Sequence, residues 1–85
     1  MSSDPAIREI LKNNMSTVSG YIEKIIYRNE TNGYTVLSVE ADDDDYVLVG
    51  TFNYIAEGEF IKANGNMKLH PNYGEQLFVD EYEII

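Results

Sequence analysis

Tyr27-Arg28-Asn29-Glu30-Thr31-Asn32-Gly33-Tyr34-Thr35-Val36 sets a polar turn containing Asn-Gly between two β-rich runs. Asn-Gly supplies the positive φ values that a tight hairpin needs, so the chain reverses here from strand to strand. His70-Pro71-Asn72-Tyr73-Gly74-Glu75-Gln76-Leu77-Phe78 repeats the arrangement towards the C-terminus. Both turns carry aromatic residues on their shoulders.

Working outward from the first turn, Thr17–Arg28 reads as one long strand with Val18, Gly20 and Ile22 on one face. Beyond them Ile25 and Tyr27 take the other parity, or Ile26 continues the first, so a bulge is expected near Glu23-Lys24. Gly20 suits a strongly bent strand. After the turn, Tyr34–Ala41 points Thr35, Leu37 and Val39 one way. Tyr46–Phe52 is apolar on both faces, Asn53–Gly58 is a turn, and Glu59–Met67 and Glu75–Ile84 complete the strands. Strands at roughly 8–12-residue spacing without a mid-chain helix indicate an all-β barrel or sandwich. A meander of three strands plus two more is the strand count of the OB fold. An SH3-like barrel is the rival, and the long first and fifth strands favour the OB-like barrel. In that barrel the turns at residues 29–33 and 70–74 rim the ligand face, and they are expected to share one lip. Ahead of the strands, Asp4–Asn13 predicts a short helix. Asp4 is its N-cap, Pro5 its first residue, and Ala6, Ile7, Ile10 and Leu11 its apolar stripe. The division is therefore a helix and arm over 1–16 and a barrel over 17–85.

With 85 residues the chain holds one domain and a small core. Its net charge of −9, six basic residues against fifteen acidic, opposes non-specific nucleic-acid binding, which depends on Lys and Arg neutralising phosphates. Absence of Cys removes disulfides and thiolate metal sites, and a single His leaves zinc only carboxylates for its other ligands. No apolar run approaches the ~20 residues of a membrane span. The N-terminus has neither the basic start nor the apolar stretch of a secretory signal. A soluble, cytoplasmic protein is the expectation.

Catalytic constellations are not assembled. The glycines stand at 20, 33, 50, 58, 65 and 74; none lies five from another or precedes Lys, so no phosphate-binding loop forms. His70 has no Ser-His-Asp signature around it. The carboxylate run Asp42–Asp45 could hold calcium, but it lacks the Gly and distal Glu of an EF-hand and reads as a solvated hairpin tip. No catalytic residue, metal site or cofactor site is assigned. Binding has better candidates. Tyr27, Tyr34, Tyr46, Phe52, Tyr73 and Phe78 could stack on bases, and Lys24, Arg28, Lys68 and His70 could meet phosphates. Tyr34 and Tyr73 lead because each adjoins one of the turns. For each aromatic, core or half-buried strand packing is the stronger expectation, and Lys24 and Arg28 also suit solvated strand positions.

The ordered set Gly20-Tyr21-Ile22-Glu23-Lys24-Ile25-Ile26-Tyr27-Arg28-Asn29, Asn32-Gly33-Tyr34-Thr35-Val36, Val49-Gly50-Thr51-Phe52, Glu57-Gly58-Glu59 and His70–Phe78 resembles a known module. It is similar to the N-terminal OB-like domain of RecD-like DNA helicases of the RecD/TraA, YrrC-type family, relatives of the exodeoxyribonuclease V alpha subunit. The resemblance implies a longer parent, an ATP-dependent 5′-to-3′ helicase of DNA repair or recombination using ATP and Mg²⁺. Its partners would be the downstream motor domains of the same chain and single-stranded DNA. For these residues it implies a non-catalytic accessory role, positioning the strand or the motor domains. The alternatives are a protein-interaction or structural barrel that never meets DNA, and a free-standing acidic OB protein with its own ligand.

Overall fold

The computed structural model describes residues 15–72 and 74–85. The helix expected over Asp4–Asn13 lies outside them, as does Tyr73. The elements are β1 (Met15–Arg28), β2 (Tyr34–Glu40), β3 (Asp45–Thr51), β4 (Phe60–His70) and β5 (Gly74–Ile84), with no helix among the described residues. They close into a barrel in the order β1-β2-β3-β5-β4. β1 starts two residues before the expected boundary, and β4 runs to His70, three residues past its expected end.

Closure depends on β1 serving both neighbours. Its first half, Met15–Tyr21, pairs with β4, and its second half, Tyr21–Arg28, pairs with β2. The change of partner needs a bend, and Gly20 allows it: a Cβ there would collide with the Glu40 carbonyl. The bulge expected near Glu23-Lys24 is present as a register shift between Ile22 and Lys24. A second shift falls between Ile25 and Tyr27. It resolves the parity of this stretch, because Ile25 joins the core while Ile26 and Tyr27 both stay exposed. Each bulge inserts one unpaired residue and sharpens the local twist.

The core forms where alternating residues of all strands meet inside the cylinder. Val18, Ile22, Leu37, Val39, Leu48, Phe52, Ile61, Ala63 and Leu77 are buried together. One inward ring can be followed strand by strand through Ile25, Leu37, Leu48, Leu77 and Met67. One end of the barrel is closed by the segment after β3. There Phe52 lies 4.8 Å from Tyr82, ring centre to ring centre, and the Asn53 N–H donates to the Tyr82 hydroxyl at 2.9 Å.

The register corrects one expectation. β3 and β5 run parallel, with Val47 beside Gln76 and Val49 beside Phe78. Pro71 and Asn72, which follow β4 on the way to β5, therefore sit at the end where β3 begins. Residues 29–33 precede β2, whose start, Tyr34, pairs with Thr51 at the end of β3. The two turns do not share a lip. They stand at opposite ends of the same strands and bracket the sheet face between them.

Candidate nucleic-acid interface

Two outward rows flank the inward ring. Following the pairing, the first runs Tyr27–Val36–Val49–Phe78–Asn66 and ends beside Met15. The second runs Lys24–Ser38–Val47–Gln76–Lys68. The first is aromatic and aliphatic with a polar end; the second has Val47 at its centre, polar residues on either side and a cation at each end. Neighbouring strands lie about 4.8 Å apart, so Lys24 and Lys68 are separated by about 19 Å measured along the sheet. Two parallel rows, one suited to rings and one to charge, are the chemistry that a base-and-phosphate strand needs.

At the β2 start, Tyr34 adds a second ring beside Tyr27, with centres 6.3 Å apart. At the other side, the Lys68 ammonium lies 4.9 Å from the centre of the Phe78 ring. A groove of about 460 Å³ joins the two sides, lined among others by Tyr34, Val49, Thr51, Lys68, Phe78 and Asp80. Tyr34 and Phe78 are 40% and 39% exposed, so each ring has a seat in the sheet and an open edge. Carboxylates are also present: Asp80 lines the groove, and Glu23 accepts from the Ser38 hydroxyl at 3.4 Å.

The structure brings Tyr34 and Lys68 to this groove together with Phe78, and sets Tyr27 beside Tyr34, whereas Lys24 lies four pairings away round the closed barrel. Arg28 goes elsewhere. Its Nη1 donates to Thr35 Oγ1 at 2.8 Å, its Nη2 to the Phe52 and Asn53 carbonyls at 3.2 and 2.7 Å, and its Nε meets Glu30 at 3.4 Å. The guanidinium thus ties the 29–33 turn to the end of β3. Thr35, fully buried, completes the tie by donating to the Gly33 carbonyl at 2.9 Å. Phe52 is a core residue, and Tyr46 donates its hydroxyl to Asp43 at 2.7 Å near the acidic tip. His70 lies at the end of β4, where its Nδ1 accepts from the Asn72 N–H at 3.1 Å. Sequence reasoning missed Val49, Thr51 and Asn66 as lining residues. Alternation marks them as outward-facing, but only the pairing of β3, β5 and β4 shows that they meet.

Two further hollows surround Tyr54, which is 96% exposed. The only cationic side chain among their lining residues is Arg28, already engaged by the turn. They lack the paired ring and cation of the β3–β5 groove.

A closed barrel in this strand order, with its turns bracketing a ring-bearing face, is an OB-fold domain. A family model for the OB-fold domain of ATP-dependent DNA helicase YrrC matches residues 15–85. The chain belongs to that family, and these residues are the accessory OB domain of a helicase family.

Proposed function

We propose that this domain holds single-stranded DNA against its outer sheet face and so guides the strand relative to the motor domains of its parent. The supporting observation is the row Tyr27–Val36–Val49–Phe78, with Tyr34 beside one end and Lys68 over Phe78 at the other. Bases stack on the exposed rings, and Lys68 meets phosphates. In this reading the domain itself is non-catalytic. ATP and Mg²⁺ belong to the motor domains, since the sequence here offers no phosphate-binding loop. The parent acts in DNA repair or recombination in the cytoplasm.

The net charge of −9 favours a second reading, a scaffold that positions the motor domains and never touches the strand. Titrating the chain with a fluorescent oligothymidine at two salt concentrations separates the two. Strand contact gives a Kd in the range of roughly 10⁻⁴–10⁻⁶ M that weakens with salt. Tyr34→Ala combined with Phe78→Ala then lowers affinity at least about tenfold, given ~1–3 kcal/mol per stacked base. Absence of binding at ~1 mM DNA in low salt supports the scaffold.

A further inference from the structure

An anion opposes a polyanion, so the carboxylate of Asp80 is at odds with a groove that meets only backbone phosphates. It lines that groove together with Tyr34, Asn66, Lys68 and Phe78. β5 carries it there on a bulge. Val79 pairs with Gly65 and Glu81 with Asn64, residues adjacent on β4, so Asp80 is the extra residue of β5. Such an insertion re-aims side chains, and bulges recur beside binding sites. Among the described residues Asp80 has no hydrogen-bond or ion-pair partner. Lys68, the cation of the groove, holds its ammonium over the Phe78 ring instead. Asn66 stands opposite Phe78 across the β4–β5 pair, and its carboxamide also has no partner among the described residues.

This set of groups sorts the bases. A carboxylate only accepts hydrogen bonds, through two oxygens, whereas a carboxamide both donates and accepts. On its Watson–Crick edge guanine presents two adjacent donors, N1–H and the N2 amino group, beside the O6 acceptor. Adenine and cytosine each present one amino donor beside a ring-nitrogen acceptor. Thymine presents a single N3–H between two carbonyl oxygens, which a carboxylate repels. Two parallel bonds to an ionised acceptor are the strong, geometrically selective kind.

We infer that the groove reads the Watson–Crick edge of one base and selects guanine. The base stacks beside Phe78, Asp80 accepts from N1–H and the N2 amino group, and Asn66 donates to O6. The inference rests on the strand-binding function proposed above and adds a base preference to it.

The probes are fluorescent oligothymidines of about 8 nucleotides in which one central nucleotide is dG, dA or deoxyinosine. Deoxyinosine keeps the fused ring, N1–H and O6 of guanine and lacks only the N2 amino group, so stacking is closely matched. The dG strand should bind at least about fivefold more tightly than the other two at equal salt. Asp80→Asn removes one negative charge, so every strand should bind more tightly. In the same variant the preference for dG over deoxyinosine should vanish. Asp80 is exposed, and an unchanged thermal melt shows that the variant keeps its fold. Strands that bind the unaltered chain with equal affinity overturn the base reading and leave strand contact standing. A guanine preference that survives in Asp80→Asn also overturns it, because the carboxylate is then not what sorts the bases. No binding of any strand at ~1 mM in low salt removes the strand-guiding function and the base reading together.

Discussion

Lys68 holds its ammonium 4.9 Å from the centre of the Phe78 ring, and the two side chains project from adjacent strands of the barrel. The pair places a cation and a stacking surface within one nucleotide's reach, which is what a single strand needs from each contact point. Phe78→Ala should lower oligothymidine affinity by about 5–100-fold, while Lys68→Ala should flatten the salt dependence by about 0.7 in the log–log slope. Because Phe78 is 39% exposed, its loss should change the urea unfolding free energy by only about 1 kcal/mol. A large stability loss with an unchanged binding curve would make the ring structural.

Arg28 should behave in the opposite way. Its fork reaches Thr35, Phe52 and Asn53, a geometry that an ammonium does not reproduce. Arg28→Lys keeps the charge yet should cost about 1–3 kcal/mol in urea unfolding, mostly from backbone carbonyls left unpaired at the end of β3. Any fall in DNA affinity should follow the lost structure of the turn. Full stability with weakened binding in Arg28→Lys would instead mark a phosphate contact.

Glycines divide by what surrounds them. A Cβ at Gly65 would run into the Phe78 carbonyl, beneath the floor of the groove, whereas Gly58 has open space but a φ of +93°. Gly65→Ala should therefore destabilise by more than about 2 kcal/mol or prevent folding, since backbone must move. Gly58→Ala should cost only about 1 kcal/mol, the penalty of a left-handed conformation. Thermal melts of the two variants compare them directly.

Tyr46 should titrate late. Its hydroxyl donates to Asp43, and that bond, with partial desolvation and the nearby Asp43, Asp44 and Glu75 charges, raises its pKa above the usual phenol value. A phenol pKa raised by folding contributes stability that is present below the unfolded value and is lost as pH rises through the folded one. In an alkaline absorbance titration the phenolate component lost in Tyr46→Phe should lie above the usual phenol range and move to lower pH in Asp43→Asn. Identical curves for all three proteins would contradict the hydrogen bond.

Local patterns in the chain carried much of this structure. Thr35, Leu37 and Val39 alternate as a half-buried strand must, and all three are fully buried. Asn32-Gly33 predicts the hairpin, and Gly33 has the positive φ, +78°, that it requires. The second bulge was not legible, because Ile25-Ile26-Tyr27 offers apolar residues to either face and only pairing with Leu37 and Val36 chooses between them. Nor could residues far apart in sequence be placed in one row. Lys24 and Lys68 join through four successive pairings, one of them the parallel β3–β5 contact. That same contact put the two turns at opposite ends of the face, a global consequence that no local turn signal contains. Arg28 looked like a surface cation because its partners, the Phe52 and Asn53 carbonyls, come from a different strand end.

The most direct measurement is a map of amide shifts in the ¹⁵N-labelled chain on addition of an oligothymidine of about 16 nucleotides at low salt. Shifts should concentrate at Tyr27, Tyr34, Val49, Lys68 and Phe78 and grow as salt falls. Shifts confined to the hollows around Tyr54, or no shifts at ~1 mM DNA, would contradict strand binding on this face.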